Sequence, residues 1–255
     1  MPVEDRIPAS ALRTIPSLPL EEQKEILSLE EYEKAERREA SRETFMGFTK
    51  DVWPAFIEGR HHKIMAEAFE RVARGELKRL IVNMPPRHTK SEFASYLLPA
   101  WFLGQYPDKK IIQTAHTAEL SVGFGRKVRN LVDSDDYKTI FPKVALRADS
   151  KAAGRWSTSQ GGEYFAIGVG GAVTGKGADL LIIDDPHSEQ EGQSIDPSVF
   201  DKVYEWYTSG PRQRLQPGGA IVVVMTRWHK RDLTGQIIKS SVQREGVDEW
   251  EVIEF

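Results

Sequence analysis

The feature that most constrains this chain is a series of short apolar runs: Leu80-Ile81-Val82, Ile111-Ile112, Tyr164-Phe165-Ala166-Ile167, Leu180-Leu181-Ile182-Ile183 and Ile221-Val222-Val223-Val224. They are rich in β-branched and aromatic residues and show no polar alternation, the pattern of strands covered on both faces in a parallel sheet. Helical patterns separate most of them, notably 91–102 and 117–132. Parallel neighbours need crossover connections, so helices must lie on the sheet faces. The expectation is an α/β three-layer fold with a mainly parallel central sheet. Upstream, His61, Ile64, Met65, Ala68, Phe69 and Val72 recur at three and four spacing, with Gly75 as the C-cap, and predict an amphipathic helix. Trp250 to Phe255 reads as one more strand.

Composition sets the outer limits. The chain of 255 residues, 40% hydrophobic, is long enough for one large domain and a small appendage. No run approaches the ~20 apolar residues of a membrane span, and the acidic Met1-Pro2-Val3-Glu4-Asp5 lacks the layout of a signal peptide. A cytosolic protein without a membrane partner is expected. With no cysteine, disulfides and thiolate metal sites are excluded, so any metal must be held by oxygen or imidazole. The net charge of -3 argues against a domain that coats nucleic acid through bulk positive charge, but leaves open contacts made by a few local lysines and arginines. The first fifty residues are dense in Glu, Lys and Arg, and Ser28 with Glu31 predicts a capping box opening a charged helix. Residues 1–50 are therefore expected to form a helical arm, and 51–255 the main domain.

Chemistry enters at Met84-Pro85-Pro86-Arg87-His88-Thr89-Lys90-Ser91, between a buried strand and a helix that starts near Lys90. This junction is where a phosphate loop belongs, since free backbone N–H groups and the positive helix end favour an anion. Lys90 and Ser91 have the identity and order of the lysine that reaches the outer phosphates and the hydroxyl that reaches Mg²⁺. Against G-x-x-x-x-G-K-[ST], Met84 and Thr89 stand where glycines are usual. About ninety residues on, the run ending in Asp184-Asp185-Pro186 sets two carboxylates at a strand end on the same sheet edge. Asp184 is the candidate Mg²⁺ carboxylate and Asp185 the group that orients or deprotonates the attacking water, with Glu189 and Glu191 as alternatives. The last of the apolar runs, extended as Ala220 to Met225, is followed by Thr226-Arg227-Trp228-His229. Thr226 is the candidate sensor of the γ-phosphate; Trp228 and His229 are read as packing and helix-capping residues.

Together, Pro-Pro-Arg-His-Thr-Lys-Ser, Leu-Leu-Ile-Ile-Asp-Asp-Pro and Met-Thr-Arg-Trp-His resemble the ATPase domain of phage large terminase subunits. Gly161-Gly162-Glu163-Tyr164, the loop from Gly168 to Gly177 and the Trp206-Tyr207 helix add to the resemblance, which spans about residues 45 to 255. It implies a P-loop NTPase of the additional-strand class, binding ATP and Mg²⁺ and driving double-stranded DNA into a procapsid in the host cell cytoplasm. The implied partners are DNA, the portal protein, a small terminase subunit and further copies of the chain in a ring. Carried over by position, Pro86, Arg87, His88, Thr89, Lys90 and Ser91 line the nucleotide, Ser91 and Asp184 hold the metal, and Thr226 couples hydrolysis to movement. Arg87 matches an arginine that stabilises transition-state charge. Thr89 departs from the usual glycine and Asp185 from the commoner glutamate. The C-terminal nuclease domain of the family is expected to be absent here. Adenine is expected near Trp53 to His62, with Phe56, His61 and His62 as alternatives. Lys176, Arg212, Arg214, Lys230 and Arg231 are available for DNA, and Arg155, Arg212 or Arg214 for a trans arginine finger. A helicase-like ATPase with the same core, and a non-catalytic DNA-binding or portal-docking module, are the competing readings.

Overall fold

A charged helix, α1 (Leu20–Glu43), leads into α2 (Phe45–Val52) and α3 (Arg60–Ala73) in this computed structural model, which describes residues 20–243 and 248–255. The acidic Met1–Asp5 segment, and with it the first part of the expected arm, lies outside the described residues. The capping box expected at Ser28 and Glu31 is not a helix start, because both residues sit inside a helix already running from Leu20. A serine three residues before a glutamate is common within charged helices, and only the preceding backbone distinguishes the two cases. Within the stretch expected as the arm, residues 1–50, some side chains are buried against the rest of the chain. Phe45 and Phe48 are fully buried, and Phe45 meets Phe69, Phe93 and Trp101 edge-on at 5.5, 5.4 and 5.8 Å. Residues from Phe45 onward therefore belong to the main core. α3 ends as its sequence predicts, with Gly75 in the left-handed conformation at φ 77°, where a side chain would be strained.

From there strands and helices alternate: β1 (Arg79–Asn83), a π-helical segment (Glu92–Leu97) continuing into α4 (Leu98–Gln105), β2 (Lys110–Ala115), α5 (Ala118–Asp133) and α6 (Asp135–Ile140). Then come β3 (Leu146–Ala152), β4 (Arg155–Thr158), β5 (Glu163–Gly168), β6 (Ala178–Asp184), the single turn α7 (Glu189–Gly192) and α8 (Ser198–Ser209). The chain closes with β7 (Leu215–Met225), α9 (Leu233–Gln243) and β8 (Glu251–Glu254). Among the described residues, eight strands form one sheet in the order β3-β4-β5-β2-β6-β7-β1-β8. Only the β3–β4 and β4–β5 pairs are antiparallel; the remainder run parallel. β7 is thus an additional strand between the two that carry the motifs, β1 and β6.

The unbroken apolar runs are explained by two cores, one on each sheet face. Leu80, Val82, Leu180, Ile182, Val222 and Val224 point into the layer formed with α2 to α5. Ile81, Leu181, Ile183, Ile221 and Val223 point the other way, against Val203 and Tyr207 of α8 and Leu233 and Ile237 of α9. The hairpin β3–β4 was not expected from the sequence, because it carries no apolar run, although Trp156 of β4 is fully buried and stacks on Tyr164. Another departure lies in the helix after the phosphate-loop candidate. It widens so that Leu98 N–H reaches Phe93 O, five residues back. Pro99 follows directly, with no N–H to donate and a ring that crowds the preceding turn of a regular helix. No helix among the described residues is long and apolar enough to cross a membrane.

Candidate active site

Because β1, β7 and β6 run parallel and in register, with Asn83 opposite Met225 and Asp184 opposite Val224, their C-terminal ends present the three motifs on one edge. Met84 N–H donates to Met225 O at 3.1 Å, and Asp185 N–H to Val224 O at 2.9 Å. The loop after β1 and the loop after β6 are each pinned to the strand between them. Side chains then cross the gap. Lys90 Nζ lies 2.7 Å from Asp185 Oδ2, with the lysine side chain only 6% exposed. Ser91 Oγ donates to Asp184 Oδ1 at 2.9 Å, and Ser95 Oγ, one turn further along the helix, donates to Oδ2 at 2.8 Å. Gln113 of β2 backs this arrangement by donating from Nε2 to Ser95 Oγ at 3.1 Å.

Asp184 is 3% exposed. Burial, and then the neighbouring Asp185, push its carboxyl up to about 7, opposed by the hydroxyls of Ser95 and Ser91 and the Lys90 charge. A carboxylate so poised is stabilised by an arriving cation. Asp185 differs: its side chain is 37% exposed, and its Oδ1 accepts the Thr226 backbone N–H at 2.8 Å. Asp185 also has a positive φ of 38°, a conformation Asp adopts more readily than most residues. Thr226 Oγ1 in turn donates to Met84 O at 3.3 Å. The residue at the tip of β7 therefore contacts both flanking loops.

The loop itself is open. Pro86, Arg87 and His88 are exposed, and His88 Nδ1 lies 2.8 Å from Pro86 O. Arg87 and Thr89 both have positive φ, 65° and 63°. For the β-branched Thr89 this is a true outlier, in the place where a glycine adopts the same backbone without strain. The segment from Trp53 to His62 lies beside the loop. Phe56 meets His62 at 4.7 Å, and His61 meets His88 at 6.0 Å and Phe255 at 6.1 Å.

The other sequence candidates are more dispersed. Glu191 closes a capping box at the start of α7, its Oε2 accepting Ser188 N–H at 3.0 Å and lying 3.6 Å from His116 Nδ1; Glu189 shares that first turn. Lys176 sits near Glu163 and over the Phe165 ring. Arg212 pairs with Asp248 at 2.9 Å, and Arg231 pairs with Asp201. Lys230 and Arg155 are exposed. Arg214 is among the described residues with a buried nitrogen that has no hydrogen-bond partner. Trp228 packs on Gly192, where a Cβ would approach its ring to 2.6 Å, and His229 stacks on Phe200 at 5.1 Å.

Sequence reading passed over Asp232, which organises the Thr226 segment. Fully buried, its Oδ2 accepts from Arg227 Nε at 2.9 Å, Trp228 N–H at 3.0 Å and His229 N–H at 3.2 Å, and its Oδ1 accepts from Gly235 N–H at 2.9 Å. The same carboxylate therefore caps α9 and folds the preceding turn. The first turn of α9 also joins the other strand ends: Leu233 N–H donates to His187 Nε2 at 3.0 Å, and Thr234 Oγ1 to Asn83 Oδ1 at 3.1 Å. The available signal was an acid directly before an apolar helical run, an N-cap pattern. Ser95 and Gln113 were missed as well. A hydroxyl four residues after Ser91, and a lone amide within a buried strand, were their traces.

Chemically, the edge offers an ammonium, a hydroxyl and two carboxylates within one hydrogen-bond shell, at the start of a helix. That set suits a magnesium-bound polyphosphate. Among the described residues no group of three or more His, Cys, Asp or Glu side chains forms a metal cage.

No protein-family model matches this chain, and no curated protein matches it in sequence. Among solved structures it is similar to the HK97 bacteriophage large terminase, with 15% identity and a TM-score of 0.48 over 77% of this chain and 42% of that one. The chain thus spans less than half the length of that protein. It is also similar to a mutant of the large terminase ATPase domain of Thermus phage P74-26, with 14% identity and a TM-score of 0.46 over 78% of this chain and 82% of that one.

Proposed function

We propose that this chain is a Mg²⁺-dependent ATP hydrolase, the motor domain of a phage large terminase subunit that drives double-stranded DNA into a procapsid. The observation that carries the reading is the meeting of Lys90 with Asp185 and of Ser91 with Asp184 across the ends of β1 and β6. The triphosphate would lie on the backbone N–H groups from Arg87 to Ser91, with Lys90 Nζ on its outer phosphates; Ser91 Oγ and Asp184 would hold Mg²⁺. When bound, the metal nucleotide supplies the reacting phosphoryl group and neutralises its charge.

The chain's own groups then divide the work. Lys90 exchanges its Asp185 partner for phosphate, so Asp185 Oδ2 becomes able to orient water and take its proton. Asp185 keeps its aim through the Thr226 N–H. Its position on the shared edge favours it over Glu191, which is engaged by Ser188 and lies beside His116. Arg87, exposed on the loop, would offset charge that develops on the transferring group. Thr226, bonded to both flanking loops, passes the change through the Asp232 turn to α9. DNA, portal protein, small terminase subunit and a ring of copies follow from the motif resemblance. Lys90→Ala is expected to abolish Mg²⁺-dependent ATP turnover while the circular dichroism spectrum is retained. Unchanged turnover in that variant would remove the phosphate-loop assignment.

A further inference from the structure

The phosphate loop lacks the glycine that normally precedes its lysine, yet Thr89 adopts the glycine-like conformation at φ 63°. Something must hold a β-branched residue there, because left-handed backbone costs it energy that glycine does not incur. Thr89 Oγ1 lies 2.6 Å from His62 Nε2 and 2.6 Å from its own neighbour's carbonyl, His88 O. At the other side of the ring, Gly59 N–H donates to His62 Nδ1 at 2.8 Å. Since Nδ1 accepts, the neutral ring carries its proton on Nε2, and a single direction of donation runs through the chain of bonds. Gly59 N–H gives to Nδ1, Nε2–H gives to Thr89 Oγ1, and the Thr89 hydroxyl gives to His88 O. Burial first, and then His61, lower the His62 pKa to about 4, so the imidazole stays neutral at ordinary pH. The ring is fixed between Phe93, stacked at 4.9 Å, and Phe56 at 4.7 Å.

We propose that His62 is a positioning residue for the phosphate loop: its Nε2–H holds Thr89 in the conformation a glycine would take unaided, and thereby aims Lys90 and Ser91 at the site. This rests on the reading of Lys90 and Ser91 as phosphate and metal groups. It differs from a role for His62 in contacting adenine, which would not depend on the residue at position 89.

The test is a double-mutant cycle with His62→Phe, which fills the slot between Phe56 and Phe93 but removes both nitrogens, and Thr89→Gly, which removes the need for the brace. The affinity for Mg-ATP, measured by titration calorimetry, is expected to fall on the order of tenfold for His62→Phe in the native loop, the equivalent of about one hydrogen bond. With Thr89→Gly present, the same change is expected to cost less than about twofold. Equal losses in both backgrounds, or no loss in the native loop, would overturn the proposal; equal losses are also what an adenine contact produces. If His62→Phe fails to fold, His62→Gln replaces it, since its amide can still donate to Thr89. Retained affinity supports the brace and a loss as large as that of His62→Ala contradicts it. Independently of nucleotide, the imidazole ¹H–¹⁵N spectrum at neutral pH is expected to show His62 as the Nε2–H tautomer, and the Nδ1–H tautomer would contradict the bond to Thr89. Absence of Mg-ATP binding by the native chain, by contrast, would count against the proposed function itself.

Discussion

Two turns at the same sheet edge are held in opposite ways. The loop from Met84 to Ser91 is open and strained: Arg87 and Thr89 stand at positive φ without being glycine, and its bonds reach outward, to Met225, His62 and the carboxylates after β6. The turn from Thr226 to Asp232 contains no positive φ, and a single buried carboxylate gathers its backbone N–H groups. Backbone strain can be relieved by changing one residue, whereas a buried charge cannot be removed without leaving its donors unpaired. The first turn can therefore change shape at the cost of strained residues, whereas the second is fixed by a charge on which its donors depend.

The strongest way to break this contrast is Asp232→Ala. It leaves the Arg227 guanidinium and several backbone N–H groups without their acceptor, a change expected to cost about 3–5 kcal/mol, as for other broken buried pairs. Urea unfolding reads it, and a loss below ~1 kcal/mol would mean the turn is not held by its carboxylate. Asp184→Asn comes next and acts in the other direction. The Asp184 carboxyl is raised from 3.8 to about 7 in the folded chain, so the native state binds an extra proton between those values and stability falls as pH rises through that window. The asparagine variant is therefore expected to be more stable than the native chain at pH 8, by on the order of 4 kcal/mol, with the advantage gone near pH 4. A pH-independent difference would contradict the buried, raised carboxyl. Smallest is Thr89→Gly, expected to stabilise the free chain by about 1 kcal/mol through relief of the left-handed conformation. Some of that gain is offset by the greater freedom of glycine when unfolded. Destabilisation by more than that amount would show that the loop is not strained.

Legibility from sequence followed the same division. The apolar runs of β1, β2, β5, β6 and β7, the α5 helix after Thr117 and the Gly75 cap were readable, because burial on both faces and helical spacing leave direct traces in residue order. Lys90, Ser91, Asp184, Asp185 and Thr226 were readable as motif residues, and the fold brings them to one edge. What stayed hidden depends on long-range contact. Ser95 and Gln113 matter only because β6 lies opposite the helix and beside β2. Asp232 carries an ordinary cap signal that does not reveal the turn folded over it. The β3–β4 hairpin has no apolar run, and its lone Trp156 is buried only through pairing with β5. Ser28 shows the reverse failure, a local signal overridden because the helix had already begun.

In the proposed function, Lys90 and Asp184 converge to enclose a magnesium triphosphate. A crystal structure with Mg²⁺ and a non-hydrolysable ATP analogue tests it most directly. The expected result is γ-phosphate density against Lys90 Nζ, with the cation between Ser91 Oγ and the Asp184 carboxylate and the Lys90–Asp185 pair opened. Nucleotide bound elsewhere, with that pair intact and Ser91 still bonded to Asp184, would contradict the account.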